Sequence, residues 1–115
     1  MFPKQQRIAK NKEFSAAIRS RTGFQEGKIA LKTKKREGKG VRAGIVISKK
    51  VEKLATKRNR MRRLLREAIR QYLPRVQEGW DLVFLVLPGI ELTELKDALP
   101  VIKKLLQRSS LLKAA

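Results

Sequence analysis

A small two-layer α+β sandwich is the fold class this sequence predicts, and three observations lead to it. Two stretches alternate apolar and polar side chains with the period of a β-strand. Two others carry apolar stripes at helical spacing. A fifth, Trp80 to Leu87, is apolar almost throughout, as a strand covered on both faces is. With a further helix near the start, the order is α-β-β(-β)-α-β-α: one sheet with helices packed on it, enough to bury every apolar stripe. At 115 residues and 42% hydrophobic composition, with no repeat and no linker, the chain reads as a single domain over residues 1–115, residues 1–6 being open to disorder.

Each element has its own local reason. Asn11 is placed to cap a short helix with Glu13 in its first turn, and Phe14, Ala17 and Ile18 form its apolar stripe, with Gly23 as the stop. From Lys28 the pattern alternates: Ile29, Leu31 and Thr33 on one face, Lys28, Ala30, Lys32 and Lys34 on the other. Lys35-Arg36-Glu37-Gly38-Lys39-Gly40 reads as a basic hairpin loop leading to a second strand. There Ala43, Ile45 and Ile47 face one way and Arg42, Gly44, Val46 and Ser48 the other. Next, Met61, Leu64, Leu65, Ala68, Ile69 and Tyr72 make an unbroken helical stripe, with Thr56 as the candidate N-cap and Pro74 as the stop. Trp80 to Leu87 is the apolar strand, closed by Pro88-Gly89. A last helix from about Thr93 buries Leu95, Leu99, Ile102, Leu105 and Leu106, and Pro100 should kink or split it.

Charge narrows the function. There are 29 Lys and Arg against 10 Asp and Glu, a net +19. Residues 1–75 hold 24 of the basic and 5 of the acidic side chains, whereas residues 76–115 hold five of each. Charge spread for solubility would be even; charge gathered in one part implies a face for a polyanion. The absence of cysteine and histidine removes disulfides, thiolate zinc sites, cysteine nucleophiles and the commonest general base. The longest apolar run is far short of the roughly 20 residues of a membrane span, and the N-terminus has no export signal. A cytoplasmic protein with no membrane partner is expected.

The second helix carries the densest signal. Lys57 to Arg66 holds Lys57 and the five arginines Arg58, Arg60, Arg62, Arg63 and Arg66. Asn59, Arg62, Arg63, Arg66 and Arg70 fall opposite the apolar stripe. Guanidinium forks grip phosphates bidentately and stack on bases, which ammonium groups do not. Asn59 adds an amide for a base edge or a 2′-hydroxyl. Ser48-Lys49-Lys50 extends the patch just before the helix. Phe14 is the candidate stacking aromatic, with a core role equally open, and Trp80 and Phe84 are expected in the core. Glu91, Glu94 and Asp97 are spaced to hold a hydrated magnesium, but complementing a helix N-terminus is the better account.

Ile47-Ser48-Lys49-Lys50, a short spacer, then Arg58-Asn59-Arg60-Met61-Arg62-Arg63-Leu64-Leu65-Arg66-Glu67-Ala68 resembles the signature of the bacterial ribonuclease P protein family. Arg7-Ile8, Phe14, Arg42-Ala43-Gly44, Gly79-Trp80-Asp81 and Arg108-Ser109-Ser110-Leu111 extend the likeness over nearly the whole chain. The resemblance implies a ribosomal-protein-S5-like fold with a left-handed β-α-β crossover, where general rules expect a right-handed one. It also implies a subunit without catalytic residues. In that family an RNA subunit, with Mg2+ held mainly by the RNA, removes the 5′ leader of precursor tRNA. Implied partners are therefore ribonuclease P RNA and precursor tRNA, with no obligate protein partner. By the same likeness, Lys49, Lys50, Arg58, Asn59, Arg60, Arg62, Arg63 and Arg66 would contact the catalytic RNA. Phe14, Ile18, Lys28, Lys32, Arg42 and Ser48 would line the leader cleft.

The chain departs from the family pattern in places. Ile18 and Lys32 stand where aromatics are common, which shifts leader contact from stacking toward electrostatics. The spacer before Arg58 is one residue longer and has Glu52 near the usual glycine. Leu87 replaces a common basic residue. Rival readings are a structural RNA-binding protein of the ribosomal type, a DNA-binding protein and a protein-only nuclease. The first lacks a reason for the strand-to-helix signature, the second lacks a helix-turn-helix pair, and the third lacks acid–base residues.

Overall fold

The computed structural model describes residues 23–35, 38–47, 50–90 and 92–112. Four strands form one mixed sheet: β1 (Gly23–Glu26), β2 (Ile29–Lys35), β3 (Val41–Val46) and β4 (Trp80–Val86). Two helices, α1 (Ala55–Tyr72) and α2 (Leu95–Arg108), cover one of its faces. The helix expected around Phe14 and Ile18 lies outside the described residues.

The strand order is β1-β2-β4-β3. β1 and β2 form an antiparallel hairpin with Glu26 opposite Ile29. Its two-residue loop opens with Gly27 at φ +59°, the position where such a loop takes glycine. β2 runs antiparallel to β4, and β3 runs parallel to β4. The expected hairpin across Lys35–Gly40 is therefore corrected: β2 and β3 never pair, because β4 lies between them. The reason is burial. β4 is the most apolar strand and lies between β2 and β3, whereas β2 carries Lys32 and Lys34 on its outward positions and β3 carries Arg42. The chain reaches that centre through α1, making β3-α1-β4 a parallel β-α-β unit.

Alternation then sorts the sheet into two faces, as the sequence predicts. Ile29, Leu31 and Thr33 of β2, Leu82, Phe84 and Val86 of β4, and Val41 and Ala43 of β3 are buried toward the helices. There they meet Met61, Leu65, Ala68 and Ile69 of α1 and Ala98, Ile102, Leu105 and Leu106 of α2. Burying a side chain of this size stabilises by about 1.5–3 kcal/mol. Trp80 is half-buried against this core and Phe84 lies fully within it, so neither is a stacking platform.

Two helix details differ from expectation. The N-cap of α1 is Leu54, and Thr56 lies inside the first turn. The start moves because Arg58 Nη1 donates to the backbone carbonyls of Glu52 (2.8 Å) and Lys53 (2.9 Å), while the Leu54 N–H donates to the Glu52 carboxylate (3.3 Å). In α2, Pro100 does not split the helix. One backbone bond is lost on the exposed side, but buried Ala98, Ile102, Leu105 and Leu106, with Leu95 and Leu99 half-buried beside them, and firm ends hold the helix through it. At the N-terminus Glu94 and Asp97 form a reciprocal capping box. At the C-terminus the N–H groups of Ser110 and Leu111 donate to the carbonyls of Gln107 (3.0 Å) and Leu106 (3.2 Å). That closure puts Ser110 at φ +60°.

Candidate nucleic-acid interface

The interface grows from the half of α1 that the core does not use. Since Met61, Leu65, Ala68 and Ile69 fix which side faces the sheet, Asn59, Arg63 and Arg70 are carried outward and are exposed, with Arg62 and Arg66 half-buried beside them. Arg60 is also exposed, on the flank toward the loop between β4 and α2. The first turn holds no acidic residue and no side-chain cap. Its leading N–H groups and neighbouring guanidiniums together favour an anion.

The predicted cations do not all have the same freedom. Arg58 is half-buried and holds the loop before α1, so part of its guanidinium is structural. Arg62 donates to the Asn59 carbonyl oxygen at 3.2 Å, which joins the two side chains on the outer face. Arg70 forms a bidentate pair with Glu67. Those hydrogen bonds hold the Glu67 carboxyl below its ordinary range and raise Arg70. Arg60 and Arg63 have no hydrogen-bonding or ion-pair partner among the described residues, so their full donor sets face solvent. Lys50 is exposed just before α1; Ser48 and Lys49 lie outside the described residues.

The sheet face turned away from the helices is the second part. Register places Lys32, Val83 and Gly44 in one row and Lys34, Asp81 and Arg42 in the next. Lys32 and Arg42 thus share this face, as alternation predicts. Lys28 does not join them. It sits in the β1–β2 loop and lines a hollow with Gly89, Ile90, Leu92, Asp97 and Val101 near the start of α2. Phe14 and Ile18 lie outside the described residues.

Arg42 is not a simple surface cation. Its Nε and Nη2 donate to the two carboxylate oxygens of Asp81, each at 2.8 Å, and Asp81 is 3% exposed. The pair crosses between directly opposed residues of β3 and β4. The pair fixes the Arg42 guanidinium over the outer sheet face and satisfies the carboxylate oxygens of a buried Asp81. Sequence reasoning missed Asp81, Glu52 and Glu67 as partners of the arginines. Asp81 did leave a signal: it is the one charged residue in an otherwise apolar strand.

Among the described residues no group of three or more acidic side chains is placed to hold a metal ion. No helix there is long and apolar enough to cross a membrane.

Comparison with known proteins accords with this geometry. The chain is 32% identical to the ribonuclease P protein component of a Cyanothece strain, covering 97% of this chain and 98% of that one. It is 33% identical to the ribonuclease P protein component of Brevibacillus brevis, covering 95% and 86%. Among solved structures, the RNase P protein of Staphylococcus aureus matches with a TM-score of 0.82 at 19% identity, over 94% of this chain and 98% of that one. The RNase P protein of Thermotoga maritima matches with a TM-score of 0.77 at 23% identity, over 89% and 96%. At those identities the structures speak for the fold, and kinship rests on the sequence. The Ribonuclease P family model matches residues 2–110, which takes in the basic helix, the paired sheet and both capped ends of α2, and the chain belongs to the ribonuclease P protein family.

Proposed function

We propose that this protein component of ribonuclease P holds the catalytic RNA on the outer side of α1 and the 5′ leader of precursor tRNA across the outer sheet face. In this reading the RNA subunit does the chemistry with Mg2+ and the protein has no catalytic residue. The observation that carries it is the outer face of α1. Arg60 and Arg63 present guanidiniums with no partner inside the described protein, and Asn59, Arg62 and Arg66 stand beside them. Lys32 and Lys34 supply the charge of the sheet face, with Arg42 held in place by Asp81. Phe14, Ile18, Ser48 and Lys49 complete the two surfaces by resemblance, and the cytoplasm is the proposed compartment. The purely structural RNA-binding role gives no reason for the family kinship.

The test is cleavage of precursor tRNA at low magnesium by a bacterial ribonuclease P RNA alone, by this protein alone, and by both together. Cleavage at the mature 5′ end only in the combined reaction is expected. Cleavage by the protein alone would place catalytic residues in this chain, and no gain over the RNA would remove the subunit role.

A further inference from the structure

Between the first turns of α1 and the loop from β4 to α2 lies a cavity of about 360 Å³. That falls in the range of ~300–1,000 Å³ usual for small-molecule sites. Met61, Ile90 and Leu92 give it apolar walls, and Lys57 and Arg60 stand at its rim with Glu52. Both cations are exposed and take no partner among the described residues.

Glu52 is the unexpected member. A carboxylate beside two cations in a chain of net charge +19 would ordinarily pair with one of them. Here it accepts the Leu54 N–H at 3.3 Å instead and forms no ion pair with any described residue. The Arg58 bond to the Glu52 carbonyl fixes the same turn from its other side. The result is a partly buried acceptor held by its own backbone, with the neighbouring cations left open. Thr93, also on the wall, spends its hydroxyl proton on Asp97 at 3.1 Å and adds no competing donor.

Taking α1 as an RNA-binding helix, the geometry points to this cavity as the site for one unpaired guanine nucleotide of the RNA partner. An apolar slot takes the face of a splayed base. Lys57 and Arg60 grip the adjoining phosphate, helped by the uncapped first turn of α1. The Glu52 carboxylate chooses the base. Guanine offers it two adjacent donors, N1–H and the exocyclic amine, whereas adenine and cytosine offer an amino group beside a ring acceptor. Uracil offers one N–H flanked by two carbonyl oxygens that repel a carboxylate. This would give the positively charged surface a readout that phosphate contacts alone lack.

The experiment titrates the full chain with the five-nucleotide RNAs 5′-UUGUU-3′, 5′-UUAUU-3′, 5′-UUCUU-3′ and pentauridine. The guanine oligomer should bind about tenfold more tightly than the others, and Glu52→Gln should bring it level with pentauridine. Methyl resonances of Met61, Ile90 and Leu92 should shift with the guanine oligomer alone, a readout that does not depend on the variant. Equal affinities, a preference that survives Glu52→Gln, or methyls that stay still would each overturn the site. Guanosine 5′-monophosphate binding as tightly as the guanine oligomer would overturn the RNA assignment in favour of a free nucleotide. Wild-type protein that stimulates precursor-tRNA cleavage yet binds all four oligomers alike would reject the pocket and leave the subunit role standing.

Discussion

Helices α1 and α2 pack on each other and share one apolar core, yet they are finished in opposite ways. α2 begins with a capping box, an acidic first turn and Thr93 donating to Asp97, so its leading N–H groups are answered locally. α1 begins with no acidic residue and no side-chain cap, and its first turn holds Lys57. Further along, Arg58 faces Arg62, Arg60 faces Arg63, and Arg62 faces Arg66 at helical spacings, each like-charge pair costing about 0.2–0.5 kcal/mol. One helix is built to be stable where it stands. The other gives up some stability to keep a cationic face, which an RNA backbone would offset on binding.

That contrast concerns the outer sides only, and the largest expected effect lies where the helices agree. Leu65→Ala in α1 and Leu105→Ala in α2 each remove a fully buried side chain. Each should lower unfolding free energy by about 2–5 kcal/mol in urea titrations. A loss confined to the α2 variant would mean that α1 depends on RNA even for its packing, and the shared core would have to be abandoned.

Next in size is a pair of exposed cations, Arg63 of α1 and Lys103 of α2. Arg63→Ala should leave stability unchanged or slightly raised, since it relieves repulsion. In affinity for the ribonuclease P RNA it should cost about 1.5–3 kcal/mol, the range for hydrogen bonds to charged groups, and reduce the salt slope by about one. Holoenzyme activity should suffer mainly at low magnesium. Lys103→Ala should change none of these. Equal effects from both variants would show that charge anywhere suffices and that α1 holds no special face.

Much of this was legible beforehand because it is local. The Ile29–Thr33 alternation, the Met61–Tyr72 stripe and the continuous apolar run of β4 each carry their own period, and each element stands where its period places it. Strand order was not legible. Lys35–Gly40 has the composition of a hairpin, and nothing near it says that β4, about forty residues on, will take the place between β2 and β3. β1 was hidden because four residues, Gly-Phe-Gln-Glu, show too little alternation, although Gly27 marks its turn. The same division holds for the site. The arginine density of α1 is visible in the sequence, and so are the near partners of Arg62 and Arg70, but the partner of Arg42 on β3 is distant. Asp81 is 39 residues from Arg42 and becomes its neighbour only when β3 and β4 align in parallel.

The smallest effect sharpens the contrast between the two N-termini through pH. Asp97 accepts hydrogen bonds from the Glu94 N–H (3.0 Å), the Thr93 N–H (3.2 Å) and the Thr93 hydroxyl (3.1 Å). The two backbone bonds, with the hydroxyl behind them, hold its carboxyl below the ordinary value of 3.8. A depressed folded-state value means that the ionised form stabilises α2 at pH above the unfolded-state value. That contribution is lost as pH falls through the folded-state value. Asp97→Asn should therefore be less stable than the wild type near neutrality, and the gap between them should close in strongly acidic solution. The group is only half-buried, so the gap should be smaller than that of either core variant and should shrink further in salt. In α1 the carboxylate nearest the start is Glu52, which lies ahead of the N-cap and accepts the Leu54 N–H, and Glu67, three turns in, is committed to Arg70. No first-turn carboxylate exists there to protonate, so acid should fray the start of α2 before that of α1. Amide exchange at Asp97 and Ala98 that stays as slow in acid as at neutral pH, while Thr56 and Lys57 exchange faster, would reverse the assignment of which helix is held by its own charges.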